Sequence, residues 1–181
     1  MTTRALIIDD HAVVRSGIRR ALESRGEIQV FEAASKAEAL AQIAHVSPQL
    51  LIIDINLPDG SGLEIVSWVR TISTEMAIVV LTFNESDDFL LSAMRAGASA
   101  YVNKSAPLTE LIAAVDHALV SPGSFAATPG NGDVVVRAAG VSPRSSAGRS
   151  SQPSRNAPAS CSSSLPSRWH SVLSYWAHLR D

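Results

Sequence analysis

Residues 50–54 read Leu50-Leu51-Ile52-Ile53-Asp54, four branched aliphatic residues that end on an aspartate. A run of this composition is typical of a strand buried on both faces, as in a parallel sheet that helices cover on each side. Three other short apolar runs end on polar residues in the same way: Leu6-Ile7-Ile8-Asp9-Asp10, Ile78-Val79-Val80-Leu81-Thr82 and Ala100-Tyr101-Val102-Asn103-Lys104. Because ligands of open parallel sheets bind at the carboxyl ends of the strands, we expect these polar groups to meet at one site.

A helical pattern follows each predicted strand. Val14, Ile18 and Leu22 recur at helical spacing after the first strand, and Ser35 with Glu38 predicts a capping box for the second helix. The predicted helices span residues 13–22, 35–44, 63–70, 87–96 and 108–120, and a fifth short strand spans 29–33. Five strand–helix units predict an α/β fold with a doubly wound, five-stranded parallel sheet. Neither a G-x-G-x-x-G nor a P-loop motif occurs, so the sequence does not support a dinucleotide fold or a P-loop nucleotide site.

The polar groups at the strand ends suit a divalent cation and a phosphoryl group. Three neighbouring carboxylates, Asp9, Asp10 and Asp54, would repel one another, and Mg²⁺ relieves such repulsion. Asp54 stands alone at its strand end, ahead of a turn, and is the candidate nucleophile. Lys104 can reach a phosphoryl oxygen, and Thr82 can donate a hydrogen bond to another.

Each of these residues, taken alone, also has an ordinary structural interpretation. Asp9 and Asp10 could cap the first helix, Asp54 could be a turn residue, Thr82 could be a plain strand residue, and Lys104 could be a solvated loop lysine. It is their joint occurrence at the ends of neighbouring strands that favours a site. His11, which follows the acidic pair, is interpreted as a residue at the start of the helix and not as a metal ligand.

The chain resembles the receiver domain of two-component response regulators. The motifs that carry the resemblance are Asp9-Asp10, Asp54, Thr82, Lys104, Leu57-Pro58-Asp59-Gly60-Ser61-Gly62 and Gly97-Ala98-Ser99-Ala100-Tyr101. The segments Ile7-Ile8-Asp9-Asp10-His11 and Lys104-Ser105-Ala106-Pro107 are similar to the LuxR-type, NarL-like subfamily. The resemblance covers residues 3–122, about two thirds of the chain.

The resemblance implies a flavodoxin-like, CheY-like sheet of strand order 2-1-3-4-5. It also implies a phosphorelay in which Asp54 accepts a phosphoryl group from a sensor histidine kinase. The backbone carbonyl of Asn56 would join Asp9, Asp10 and Asp54 as a ligand of Mg²⁺, and Thr82 and Tyr101 would be the switch residues. The protein would catalyse only its own phosphorylation and dephosphorylation, and so is not expected to be an enzyme acting on a separate substrate.

In the family, phosphorylation shifts the face formed by the fourth helix, the fifth strand and the fifth helix. Here that face would comprise residues 87–96, 100–102 and 108–119, and it is the surface through which we would expect a homodimer to form. Because Cys161 is the only cysteine and no apolar run approaches the about 18 residues of a membrane span, we expect a cytoplasmic protein without membrane contact. The N-terminus runs directly into a strand, and no leader peptide is expected.

The last third of the sequence differs in composition. Residues 1–126 carry a net charge of −6, whereas 127–181 carry +4, and residues 142–168 contain eleven Ser, four Pro and four Arg. We therefore expect a receiver domain over 1–122, a linker over 123–141, and a largely disordered degenerate or frameshifted effector remnant over 142–181. Val141-Ser142-Pro143-Arg144 resembles the opening of a LuxR-type helix-turn-helix, but no recognition helix follows in the sequence.

Two alternative functions remain open at this stage. A transcriptional regulator could bind DNA through its basic tail, although DNA binding is doubtful without an intact helix-turn-helix. An aspartate-nucleophile phosphatase of the haloacid dehalogenase type would also use Asp54. That class has a second aspartate two residues after the nucleophile, where this chain has Asn56.

Overall fold

The apolar runs form the parallel strands of one central sheet. A computed structural model describes residues 2–83 and 86–127, together with the backbone strand at 135–138. Every residue of the run that ends at Asp54, and of the run that ends at Thr82, is buried, which agrees with strands covered on both faces. The first five strands are β1 (Thr3–Ile8), β2 (Ile28–Ala33), β3 (Leu50–Asp54), β4 (Ala77–Thr82) and β5 (Ala100–Asn103).

These five strands are parallel and lie in the order β2-β1-β3-β4-β5. The predicted fold class and strand order are therefore confirmed. The chain order reverses between β1 and β3, because β2 lies on one side of β1 and the later strands lie on the other. Ile8 at the end of β1 pairs with Ile53 near the end of β3, so residues that follow these strands meet at the crevice where parallel sheets bind their ligands.

The sheet extends beyond β5 by two strands that the sequence did not predict. Strand β6 (Ser124–Ala127) is parallel to β5, and β7 (Val135–Ala138) is antiparallel to β6. Both lie in the segment 123–141 that we expected to be a linker. Serine and alanine have a low strand propensity, so Ser124-Phe125-Ala126-Ala127 carries a weak local signal. The strand forms because β5 offers an open edge and because Phe125 has an apolar cluster to pack against.

Five helices cover the two faces of the sheet. One apolar cluster joins the sheet to the second, third and fourth helices, and the other joins it to the first and fifth helices. Successive strand residues alternate between the clusters, as Ile7 and Ile8 do. The helices are α1 (Ala12–Glu23), α2 (Lys36–Val46), α3 (Gly62–Ile72), α4 (Asp87–Ala96) and α5 (Leu108–Val120).

Local signals set several of the helix boundaries. Ser35 Oγ accepts a hydrogen bond from the Glu38 N–H at 3.2 Å, as the capping-box pattern predicts, and the Glu38 carboxylate accepts from the Ala34 N–H at 2.8 Å. Gly97 ends α4 with a φ of 94°, a backbone conformation that glycine adopts without strain. No helix in the described part of the chain is long and apolar enough to cross a membrane. The predicted effector remnant at 142–181 lies outside the described residues.

Arg70, near the end of α3, ties together segments that are distant in sequence. Its Nε donates to the Gly97 carbonyl at 2.6 Å, and its Nη1 donates to the Met76 carbonyl at 2.7 Å. Nη2 donates to Ser99 Oγ at 3.0 Å, and Ser99 Oγ donates in turn to the Pro122 carbonyl at 2.7 Å. Arg70 therefore connects α3, the start of β4, the loop before β5 and the segment that leads into β6.

We predict that Arg70→Lys lowers the free energy of unfolding by about 1–3 kcal/mol, because an ammonium keeps the charge but cannot reproduce the planar fork of hydrogen bonds. Urea denaturation monitored by circular dichroism measures this change. Arg95→Lys is the matched control, since Arg95 is exposed on α4, and should change stability by less than about 0.5 kcal/mol. Equal stability of the two variants would contradict the connecting role of Arg70.

Candidate functional site

Two buried carboxylates lie side by side at the carboxyl edge of the sheet. Asp9 directly follows β1 and Asp54 is the last residue of β3, and both are buried. The strand pairing of Ile8 with Ile53 brings the two carboxylates together although they are 45 residues apart in the chain. Asp10 follows Asp9, but its side chain is 40% exposed. Two neighbouring buried carboxylates require a positive charge close to them.

Lys104 supplies that counter-charge. Its Nζ lies 2.5 Å from Asp9 Oδ2 and 2.6 Å from Asp54 Oδ2, and its side chain is only 1% exposed. The backbone N–H of Lys104 donates to the Thr82 carbonyl at 2.8 Å, which fixes the loop after β5 against the end of β4. Lysine is almost never fully buried unless it is paired, and here one ammonium is shared by two carboxylates. The buried group therefore keeps an excess of negative charge.

This excess of negative charge suits a divalent cation. One ligand atom each from Asp9, Asp10, His11 and Asp54 lies within 4.8 Å of the others. Asp9 Oδ2 is fully buried and accepts no hydrogen bond of normal geometry, since its contact with Lys104 is an ion contact alone. Lys104 offsets only one of the two carboxylate charges, and a hard cation with oxygen ligands would offset the remaining one. The residues present fit such an ion.

His11 is closer to the site than the sequence indicated. It occupies the N-cap position of α1, as expected for a helix-start residue, but its side chain makes no capping hydrogen bond. Its Nδ1 lies 2.6 Å from Asp10 Oδ1 and 3.2 Å from Asp9 Oδ1, and its backbone N–H donates to Asp9 Oδ1 at 2.8 Å. The ring therefore joins the exposed and the buried carboxylates of the acidic pair.

Phe83 borders the site and was missed by the sequence reasoning. Phe83 is 60% exposed, and the centroid of its ring lies 5.2 Å from Lys104 Nζ and 6.3 Å from the centroid of the His11 ring. An aromatic face near an ammonium is a favourable cation–π arrangement. The available signal was its position directly after Thr82, at a strand end that faces the same crevice.

The structure places the two predicted switch residues in the buried part of the sheet. Thr82 is the last residue of β4 and is fully buried. Tyr101 in β5 is also buried and belongs to the same apolar cluster as Phe125. In the sheet, Tyr101 is paired with Val80 on one side and with Ala127 of β6 on the other. Their switching role stays a prediction.

The loop after Asp54 is held at both ends. The backbone N–H of Asn56 donates to Asp54 Oδ1 at 3.2 Å, and Asn56–Leu57 pairs with Gly60–Ser61 as a two-residue antiparallel ribbon. At the far end, Asp59 accepts hydrogen bonds from the N–H groups of Lys36 at 2.6 Å and Ala37 at 2.8 Å. Asp59 thus caps α2 and anchors to it the loop that carries Asn56. The metal-binding role of the Asn56 carbonyl remains a prediction.

Gly62 allows α3 to start directly against the phosphoacceptor candidate. A Cβ atom at Gly62 would lie 1.9 Å from the backbone oxygen of Asp54, closer than any real contact permits. The Gly62 N–H donates to the Ile55 carbonyl at 2.8 Å, so the helix and the strand end are joined here. Only a residue without a side chain fits this position.

We predict that Gly62→Ala lowers the free energy of unfolding by about 1–3 kcal/mol, because the added methyl group displaces the backbone at Asp54. Gly17→Ala is the matched control. Gly17 lies inside α1, and beyond its chain neighbours and the adjacent helix backbone no heavy atom lies within 4 Å of the place a Cβ would take, so alanine should stabilise the protein by about 0.4–1 kcal/mol. Urea denaturation of the two variants measures both changes in the free energy of unfolding. An unchanged free energy in Gly62→Ala would contradict the close approach of Gly62 to the Asp54 backbone.

A second prediction concerns the pH dependence of the Asp59 anchor. Burial opposes ionisation of Asp59, but the hydrogen bonds from Lys36 and Ala37 outweigh it and lower the pKa of this carboxyl below its usual value. The stabilisation is therefore complete above the unfolded pKa of about 3.9, and it is lost as the pH falls through the lower folded pKa. Urea denaturation from pH 3 to 7 should show Asp59→Asn less stable than the natural protein near pH 6, with a difference that shrinks below about pH 4. A constant difference across this range would contradict the assignment.

Comparisons with known proteins agree on one family. The family described as the response regulator receiver domain matches residues 5–116. The DNA-binding transcriptional activator DevR/DosR of Mycobacterium tuberculosis is 37% identical over 113 residues, which are 62% of this chain and 52% of that protein. The oxygen regulatory protein NreC of Staphylococcus carnosus is 35% identical over 114 residues, again 62% of this chain and 52% of that protein. The chain thus spans about half the length of these curated relatives.

Solved structures give the same result. A LuxR-family two-component response regulator from Aurantimonas sp. SI85-9A1 has a TM-score of 0.62 and 34% identity, covering 67% of this chain and 87% of that one. The signal receiver domain of the response regulator NarL from Mycobacterium tuberculosis has a TM-score of 0.60 and 28% identity, covering 65% of this chain and 96% of that one. The buried lysine and carboxylates described above lie within residues 5–116, the segment that matches the receiver domain family.

Proposed function

Because the chain belongs to the response regulator receiver domain family, we propose that it is a phosphorelay switch in which Asp54 accepts a phosphoryl group from a sensor histidine kinase. The observation that carries this proposal is the contact of Lys104 Nζ with both Asp9 Oδ2 and Asp54 Oδ2 in a buried setting. A cation within hydrogen-bond distance of Asp54 lies where the charge of an incoming phosphoryl group needs to be neutralised. Catalysis of phosphoryl transfer consists mainly of positioning and charge neutralisation.

Asp54 is suited to be the nucleophile. Asp54 is the last residue of β3, a strand in which every residue is buried. Its Oδ1 accepts a hydrogen bond of 3.2 Å from the Asn56 N–H, which orients the carboxylate. A carboxylate oxygen would attack phosphorus, the bond from phosphorus to the donor nitrogen would break, and that nitrogen would keep the electron pair. The product is an acyl phosphate, so each chain would carry at most one phosphoryl group.

The acidic group would hold Mg²⁺. Asp9, Asp10, Asp54 and the backbone carbonyl of Asn56 are the proposed ligands, and the ion would offset the charge of the carboxylates and of the phosphoryl oxygens when bound. The ion contact between Lys104 and Asp54 would then be replaced by a contact between Lys104 and a phosphoryl oxygen. Thr82, at the neighbouring strand end, would donate a hydrogen bond to another phosphoryl oxygen.

Thr82 and Tyr101 would carry the conformational change. A shift from a mostly inactive to a mostly active population requires about 5.5 kcal/mol of differential stabilisation. Several charge-assisted hydrogen bonds to the phosphoryl group would supply a free energy of this order. Tyr101 is paired with Ala127 of β6, so a movement of β5 would reach the segment 124–127. The proposed homodimer surface on α4, β5 and α5 would accordingly include β6, which occupies the outer edge of β5.

Regulation of transcription is the context that we propose for this switch. Relatives of the matched region include a DNA-binding transcriptional activator, and the chain spans about half the length of that protein. We do not assign DNA binding to residues 142–181, since their sequence does not continue the helix-turn-helix opening at Val141-Ser142-Pro143-Arg144.

We predict that Asp54→Asn abolishes labelling by acetyl phosphate in the presence of Mg²⁺, because an amide is not a nucleophile toward phosphorus. Intact-protein mass spectrometry measures the gain of one phosphoryl group. Asp116→Asn is the matched control: Asp116 lies on α5, where Oδ1 contacts Arg25 Nη1 at 2.7 Å, and the variant should be labelled like the natural protein. Removal of Mg²⁺ with EDTA should stop the labelling. Labelling of Asp54→Asn at the natural rate would overturn the site, and repeated turnover of a phosphate ester would favour a phosphatase.

A further inference from the structure

We propose that Arg15 is a positioning residue for the acidic pair, an inference that rests on the proposed function. Its Nη1 donates a hydrogen bond of 2.6 Å to the backbone carbonyl of Asp9, and its Nε donates one of 3.0 Å to Glu32 Oε2. The guanidinium therefore fixes the peptide that joins Asp9 to Asp10, and through it the relative placement of these two carboxylates, which would hold Mg²⁺ together with Asp54 and the Asn56 carbonyl.

The fold directs Arg15 toward this peptide. Side chains of a helix tilt toward its N-terminus, so a residue in the first turns of α1 can reach back over the loop that precedes the helix. Glu32 lies in β2, where it pairs with Ile7, two residues before Asp9. The Arg15 side chain is 15% exposed between these two partners. It is thus held at both ends of its planar group, by a carboxylate on β2 and by the Asp9 carbonyl.

The Asp9 carbonyl is the group through which the acidic pair can be oriented. The Asp9 N–H is already bonded to the Ala33 carbonyl at 3.1 Å, and Asp9 Oδ1 accepts from the His11 N–H at 2.8 Å. The peptide unit is planar, so fixing its carbonyl fixes the direction in which the chain continues to the Cα of Asp10. Arg15 therefore determines where the exposed Asp10 carboxylate stands relative to the buried Asp9 carboxylate.

The charge of Arg15 is largely offset by Glu32. Burial opposes ionisation of Glu32, but hydrogen bonds from Arg19 and Arg15 outweigh it and lower the pKa of this carboxyl, so Glu32 is anionic at neutral pH. An uncompensated positive charge near Asp9 and Asp10 weakens cation binding, so removing it would raise the affinity for Mg²⁺. A loss of Mg²⁺ affinity on removal of Arg15 would therefore have a geometric cause.

Arg19 provides a matched control on the same helix. Its Nε donates to Glu32 Oε1 at 2.6 Å, and its Nη1 donates to Glu23 Oε1 at 3.0 Å and to the Val30 carbonyl at 3.2 Å. These bonds lead away from the acidic pair. Arg15→Gln and Arg19→Gln each remove one arginine from Glu32, but only Arg15→Gln removes the hydrogen bond to the Asp9 carbonyl.

The test compares the natural chain, residues 1–181, with Arg15→Gln, Arg15→Lys and Arg19→Gln. Isothermal titration calorimetry measures Mg²⁺ binding, and the rate of labelling by acetyl phosphate is measured as a function of Mg²⁺ concentration. We expect the dissociation constant for Mg²⁺ to rise about 10-fold or more in Arg15→Gln, since losing a group that orients metal ligands typically costs this much. The labelling rate should recover at saturating Mg²⁺, because Asp54 and Lys104 are unchanged.

Arg15→Lys should restore part of the affinity, because an ammonium can still donate to one carbonyl, and Arg19→Gln should bind Mg²⁺ within about twofold of the natural protein. Urea denaturation confirms that each variant is folded, and Arg15→Lys keeps the test decisive if Arg15→Gln does not fold. Unchanged Mg²⁺ affinity in the folded Arg15 variants, or an equal loss in Arg19→Gln, would overturn the positioning role. Failure of the natural protein to bind Mg²⁺ or to be labelled would instead overturn the proposed function.

Discussion

The structure of the site depends on one interaction, the burial of the Lys104 ammonium between the carboxylates of Asp9 and Asp54. Each carboxylate alone in this environment would be strongly unfavourable, and removal of the lysine would leave two unpaired buried charges. The pairing requires β1 and β3 to be neighbours and requires the loop after β5 to reach across the end of β4. A hydrogen bond of 2.8 Å from the Lys104 N–H to the Thr82 carbonyl holds the loop in that position. The strand order and the site are therefore parts of the same arrangement.

Neighbouring residues fix the positions of Asp9 and Asp54 but are not proposed to contact the phosphoryl group. Gly62 lets α3 begin against the Asp54 backbone, Asp59 fastens the following loop to α2, and Arg15 holds the Asp9 carbonyl. Gly62 and Arg15 join the start of a helix to the residue at a strand end, and Asp59 joins a loop to the first N–H groups of α2, which have no partner within the helix. Groups that the secondary structure leaves unpaired are thus used to fix the geometry of the site.

A second connection leads from the site toward the C-terminal segment. Tyr101 lies next to β6 in the sheet, Phe125 packs into the same apolar cluster, and Arg70 with Ser99 ties the segment before β6 to the loop before β5. The edge strand of the predicted five-stranded sheet is in this way covered by the chain that follows α5. This pairing places 124–127 against Tyr101, the residue proposed to switch.

The amino-acid sequence by itself determined the strands, their alternation with helices and the residues at the strand ends, because these depend on local patterns. Four or five branched aliphatic residues in a row specify a strand buried on both faces, and Asp54, Thr82 and Lys104 follow directly from where those runs stop. Tertiary structure alone decided the parts that depend on long-range contacts. Ser124–Ala127 is a strand because the β5 edge pairs with it, His11 and Phe83 border the site because separate loops converge there, and Arg15 reaches Asp9 because β2 positions Glu32 beside it. The local sequence signals of these residues are weak, since the contacts of each depend on a partner that only the folded chain brings near.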